Sequence, residues 1–94
     1  MPILRRIVQA LYDYQAQGEG ELSFTADTIL YVYDVDSDVD WWLATTHRHL
    51  PSHVQQLAVE EWPLDMEGIG RIPSNYIQPV SFFYQGYSLI PSLL

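Results

Sequence analysis

Aromatic and acidic side chains carry most of the chemistry this sequence can offer. Tyr12, Tyr14, Trp41, Trp42 and Tyr76 present flat apolar rings with hydroxyl or indole donors, and Asn75 adds an amide. Glu19, Glu21, Asp36, Asp38 and Asp40 lie between these aromatic groups in sequence and can meet a cation. Alternation along a strand sends Trp41 and Trp42 to opposite faces. So small a structure has no room inside for both Tyr12 and Tyr14. Some of these rings are therefore exposed, and a patch of exposed aromatics is a binding surface by default.

Other chemistries find less support. His47, His49 and His53 cluster, and a His-x-His pair on a strand can share a metal, but no cysteine is available and His53 lies past a proline. Solvated histidines are the expectation, with no metal and no cofactor. The pairs Glu60-Glu61 and Asp65/Glu67 suggest acid–base work, yet no nucleophile or oxyanion pocket accompanies them. Gly18-Glu19-Gly20 lacks the basic residue and following helix of a phosphate loop. No enzyme is expected.

Four arginines, no lysine and twelve acids give a formal net charge of -8 over 94 residues. Such a surface repels phosphates, which argues against nucleic acid or anionic membrane and favours a basic partner. The length suits one domain, residues 1–94, with no second core. The absence of cysteine excludes disulfides and fits a reducing compartment. No apolar run approaches the ~20 residues of a membrane span. Met1–Arg6 has no apolar stretch behind its arginines, so the expectation is a soluble, cytoplasmic chain without a signal peptide.

The elements that must position the aromatic set are short strands. Ile7–Tyr12 reads as the first, with Val8 and Ala10 on one face. Residues 15–21 are a polar loop punctuated by glycine, after which Leu22 and Phe24 resume alternation. Thr25–Thr28 follows, with Asp27 a residue that tolerates left-handed backbone. Ile29–Asp34 is a strong strand, with Leu30 and Val32 inward and the hydroxyls of Tyr31 and Tyr33 toward water. An acidic connection leads to a third strand, Trp41–Thr45. Gly70–Pro73 and Ile77–Val80 complete the set.

Ala10-Leu11-Tyr12-Asp13-Tyr14, Trp41-Trp42 and Ile72-Pro73-Ser74-Asn75-Tyr76 together resemble the three signature motifs of SH3 domains, over about Val8–Val80. The resemblance implies an all-β fold: a small five-stranded SH3-like β-barrel with a 3₁₀ turn at Ser74–Tyr76 before the last strand, its core spanning about residues 7–80. It implies a groove for proline-rich PxxP-type peptides, lined by Tyr12, Tyr14, Trp41, Pro73, Asn75 and Tyr76. Polyproline II suits such a groove, because its rings pack on aromatic faces and its free carbonyls seek donors. The resemblance also places Glu21 where the family's loop acid pairs with a ligand Arg or Lys, with Glu19, Asp38 and Asp40 nearby. Arg71 departs from the family, which often has an aromatic or large apolar residue there.

The long stretch 46–68 between the third and fourth strands is a second departure from the family. Part of it reads as helix: Ser52 as cap, Val54, Leu57, Ala58 and Glu61 at helical spacing, and Trp62-Pro63 as the stop. An isolated helix of this length is marginal, so it docks on the barrel or on a partner. Residues 81–94 are too apolar for a free tail and are expected to pack on the barrel or on the inserted helix. The sequence therefore reads as an adaptor module recruiting basic, proline-rich segments. The alternative is a second interface, through 52–62 and 81–94, for a folded partner or self-association.

Overall fold

The computed structural model describes residues 2–35 and 40–80. Five strands form one antiparallel sheet in the order β4-β3-β2-β1-β5. They are β1 (Arg6–Ala10), β2 (Ile29–Val35), β3 (Trp41–Thr45), β4 (Ile69–Pro73) and β5 (Ile77–Pro79). A 3₁₀ turn at Ser74–Tyr76 joins β4 to β5, as the resemblance implies. β1 ends two residues sooner than its alternation suggests, because the Leu11 amide leaves the ladder and donates to the Tyr76 carbonyl at 2.7 Å. At the far side, β4 is met by the returning arm of the loop after β1: Leu22 N–H donates to Arg71 O at 2.9 Å and Arg71 N–H to Gly20 O at 2.7 Å.

Inward-facing residues behave as their period of two requires. Val8, Ala10, Leu30, Val32, Ala44 and Ile72 are buried together, with Leu22 and Phe24 from the loop arm closing the cluster. Asp27 has φ 72°, the left-handed conformation anticipated for it. The Ala26 amide, one residue earlier, is held by Asp13 Oδ1 at 2.7 Å.

Contrary to the expectation of no second core, residues 46–68 build one on the opposite face of the sheet. Leu43 and Ile69 meet Leu50, Val54 and Trp62 there, and each of the five is buried. Tyr33 joins them, its ring 5.0 Å from that of Trp62. It sits where the β2–β3 register shifts between Val32 and Asp34, as a bulge that re-aims one side chain does. Tyr33 is half-buried, its ring packed on this core, and burial raises its phenol pKa, with the nearby Tyr31 adding to the effect. The helix is also shorter than its spacing implies. One turn, α1 (Ser52–Gln55), is followed by a 3₁₀ turn at Val59–Glu61. Pro51 occupies the N-cap and Ser52 is the first helical residue, so Ser52 is not the cap. The helix itself ends at Gln55, well before the expected stop; Trp62, extended (ψ 139°) before Pro63, ends only the 3₁₀ turn.

This packing answers whether the segment docks on the barrel. Val54 is fully buried and Trp62 is 5 % exposed, which removes both from the alternative interface through 52–62. The ends of the segment are tied by Thr46 N–H to Gly68 O at 3.0 Å and Thr45 Oγ1 to Gly68 O at 2.6 Å. The expected contribution of 81–94 lies outside the described residues, as do Asp36 and Asp38. Among the described residues, no helix is long and apolar enough to cross a membrane.

Candidate functional site

Tyr14 is where the three distant aromatic segments meet. Its backbone forms a two-way bridge with Phe24, Tyr14 N–H to Phe24 O at 2.8 Å and Phe24 N–H to Tyr14 O at 3.0 Å. That bridge lays its ring over Phe24, with centroids 5.7 Å apart. On one side the Tyr14 ring meets Tyr76 edge-on at 5.3 Å; on the other it meets Trp41 at 6.3 Å and 67°. Tyr12 extends the row, edge-on to Tyr76 at 5.5 Å. Edge-to-face contacts of this kind suit the ring quadrupoles and fix the rings at steep angles, leaving ridges between them.

The neighbouring strands set the positions of these rings. Trp41 is paired across the β3–β4 ladder with Pro73, and the Asp40 carbonyl accepts the Ser74 amide at 2.9 Å. The Leu11–Tyr76 hydrogen bond fastens the 3₁₀ turn to the end of β1. Tyr12 is 58 % exposed, whereas Tyr14, Trp41 and Tyr76 are half-buried. Asn75 is exposed and Pro73 is buried, so Pro73 supports Trp41 more than it offers surface. Trp42, on the other face, packs against the main core beneath the Arg6 guanidinium, whose carbon is 4.8 Å from the ring centroid.

Glu21 is placed differently from the other acids. Its Oε1 accepts the Tyr14 hydroxyl at 2.5 Å and the Gln17 amide at 2.9 Å. The Gln17 amide, then the Tyr14 hydroxyl and, less strongly, the Gly18 amide hold its carboxyl below the ordinary range. The same bond pushes the Tyr14 phenol up to about 12, with partial burial adding to it. Glu19 and Asp40 are exposed at the surface. Arg71 is half-buried, its backbone engaged with the loop arm on both sides.

Two contributors escape a reading by motif. Asp13 pins the turn at Ala26, and Ser23 Oγ holds the Ala16 amide at 2.9 Å, bracing the loop that carries Glu21. The alternation Tyr-Asp-Tyr, which points Asp13 away from its neighbours, was the available signal for the first. Among the described residues, no group of three or more His, Asp or Glu is placed to hold a metal ion. The His47 ring instead meets the Glu67 carbonyl, with Nε2 at 3.1 Å.

Comparison with known proteins gives a consistent result. The family model described as SH3 domain matches residues 9–50. Over 72 residues, 77 % of the chain, the sequence is 38 % identical to the actin cytoskeleton-regulatory complex protein SLA1 of Mycosarcoma maydis. The chain spans only 6 % of that relative's length. Among solved structures, it is similar to the C-terminal SH3 domain of myosin IB from Entamoeba histolytica bound to the EhFP10(GEF) peptide, at TM-score 0.56 and 26 % identity. That match covers 86 % of this chain and 100 % of the other. The Acanthamoeba myosin I SH3 domain bound to Acan125 follows at TM-score 0.53 and 28 % identity, covering 85 % and 100 %.

Proposed function

The chain belongs to the SH3 domain family, and from that premise we propose that the Tyr12–Tyr76–Tyr14–Trp41 surface docks basic, proline-rich segments of other proteins. The observation that carries this reading is the unbroken row of four edge-to-face rings, each at least partly exposed, with the Asn75 amide beside it. Ridges between steeply inclined rings accept the flat faces of a polyproline II helix. The hydroxyls of Tyr12 and Tyr76, the Trp41 indole and the Asn75 amide supply donors for its free carbonyls. The myosin SH3 domains bound to the EhFP10(GEF) peptide and to Acan125 are consistent with such a use of the fold.

Charge sets the ligand class. A net charge of -8, with Glu21 bonded to Tyr14, Asp40 next to Trp41 in sequence and Glu19 exposed on the same loop as Glu21, favours a ligand bearing Arg or Lys. Arg is the better fit, because its planar group stacks on an indole while it bonds a carboxylate. The module docks and releases, and no bond is made or broken. The actin-regulatory relative and the two myosin domains make a cytoskeletal assembly the setting we propose for this recruitment.

Titration of an Arg-bearing PxxP peptide, followed by amide chemical shifts at two salt concentrations, tests the reading. Binding at about the micromolar level, about -8 kcal/mol or weaker, is expected, with shifts at Tyr12, Tyr14, Trp41 and Tyr76. Affinity falls as salt rises, since the acids are open to screening. Trp41→Ala abolishes the binding and leaves the thermal midpoint nearly unchanged. Absence of binding, or shifts confined to the opposite face, overturns the reading.

A further inference from the structure

We propose that the hollow between the N-terminal segment and the start of the 46–68 insertion is a second docking site. Its occupant is an acidic segment of another protein, with an apolar side chain close to its carboxylate. The site goes beyond the docking reading above and uses none of the residues of the aromatic row.

The hollow has a volume of about 300 Å³, and Pro2, Leu4, Tyr33, Arg48, His49 and Gln55 contribute to its lining. The chain holds these groups in place before any ligand arrives. Arg48 and His49 are exposed, but the residues on either side of them are fixed. The His47 N–H donates to Thr45 Oγ1 at 3.0 Å, and its ring Nε2 meets the Glu67 carbonyl at 3.1 Å. Leu50 is buried in the second core, and its carbonyl accepts Gln55 Nε2 at 2.7 Å. The N-terminal segment is tied by Arg5 N–H to Val32 O at 2.8 Å, and Tyr33 is packed against Trp62. Groups carried on pinned backbone lose little freedom on binding, which lowers the ordering cost of a complex.

Charge complementarity selects the occupant. The chain has four arginines against twelve acids, yet here a guanidinium and an imidazole stand together and none of the lining residues is acidic. Arg48 offers a planar fork that matches a carboxylate, and His49 offers a ring N–H in either protonation state. The adjoining hollow shares Pro2 and Tyr33 but has Asp34 and Glu60 as well as Arg5 in its lining. The cationic character is therefore confined to the Arg48 side.

Exposure supplies the apolar half of the argument. Ile3, Leu4, Leu11 and Tyr12 are the large apolar side chains exposed among the described residues. Leu11 and Tyr12 belong to the first aromatic motif. Ile3 and Leu4, at 71 % and 42 % exposure, stand instead at these two hollows. A carboxylate and a nearby apolar side chain engage Arg48 and Leu4 together, which a free anion cannot do. A basic segment is repelled here and attracted to the aromatic row, so the two surfaces sort partners by sign.

The isotope-labelled chain is titrated with a short synthetic peptide of alternating Glu and Leu, with its Gln-for-Glu counterpart, and with inorganic phosphate. Amide shifts at residues 3, 4, 33, 48–50 and 55 are expected from the acidic peptide and not from its counterpart. The double variant Arg48→Gln/His49→Gln weakens that peptide about tenfold or more, and Leu4→Ser about threefold. All three side chains are exposed, so both variants are expected to keep the wild-type thermal midpoint. The Arg-bearing PxxP peptide binds both variants as it binds the wild type, and the acidic peptide binds the PxxP-saturated chain as it binds the free one. No binding of the acidic peptide, equal binding of its counterpart, or undiminished affinity in the double variant overturns the proposal. Phosphate that occupies the same residues as tightly as the peptide makes this a plain anion site, which overturns it too. Self-association that light scattering detects in the wild type and not in the double variant would make a second copy of this acidic chain the occupant, against the proposal. If the acidic peptide binds and the PxxP peptide does not, the docking reading fails and the second site stands.

Discussion

Leu43 and Ala44 are consecutive in β3 and both are buried, at 2 % and 0 % exposure, but they belong to different cores. A strand in a small barrel ordinarily has one wet face. Here residues 46–68 cover the outer face of β3, and the inner face looks into the barrel.

If that cover is structural, Trp62→Ala destabilises the fold by about 3–5 kcal/mol, the usual range for emptying a buried indole site. Urea unfolding measures it. Peptide affinity at saturating folded fraction stays unchanged, because Trp62 packs with Tyr33 and not with the aromatic row. A loss below about 1 kcal/mol would show that the second core is dispensable.

Gly70 is required by the close approach of Gly20–Leu22 to β4, not by its own backbone angle. A methyl there would stand 2.9 Å from both the Glu21 carbonyl carbon and the Leu22 nitrogen. Backbone cannot swing aside as a flexible side chain can. Gly70→Ala is expected to lower stability by about 1–3 kcal/mol and to disturb the amide shifts of residues 17–24. Unperturbed shifts in that loop would refute the contact.

Asp27 sits at φ 72° without the freedom of glycine. Asp27→Val is expected to lose about 1–2 kcal/mol, since a β-branched side chain is disfavoured in the left-handed region. Asp27→Gly is expected to leave the thermal midpoint level or raise it. The order of the two variants is the measurement, and a reversed order contradicts the strained turn.

The Tyr14–Glu21 bond gives stability a pH signature at both ends. Glu21 has a lowered folded pKa, so its contribution is complete above the unfolded value and is lost as pH falls through the folded one. Tyr14 has a raised folded pKa, so its contribution is complete below 10.0 and is lost as pH rises toward about 12. Denaturation profiles of Glu21→Gln should be flatter than wild type in both windows. A variant that changes only the acid limb would place the hydroxyl bond elsewhere.

Much of this was legible in the order of residues. Alternation through Val8, Ala10, Leu30 and Val32 located the inner face, and three aromatic motifs in sequence announced an exposed surface made from remote segments. These are local signals, since a period of two or a left-handed tolerance is a property of neighbouring residues. The helical spacing of Val54, Leu57 and Ala58 misled because it was local as well. One turn forms, and Val54 and Trp62 pack on Leu43 and Ile69, an arrangement no local pattern encodes.

The tertiary structure alone decided which atoms meet. Nothing in Gly-Glu-Gly-Glu says that the second acid, and not the first, has its oxygen taken by a tyrosine seven residues earlier. Nothing in Ile-Gly-Arg says that the glycine is pressed against another part of the backbone. Composition and period fix which residues avoid water, because that preference belongs to each side chain alone. Hydrogen-bond pairing and close approach belong to two segments at once, and they come into being only when the closed sheet brings both together.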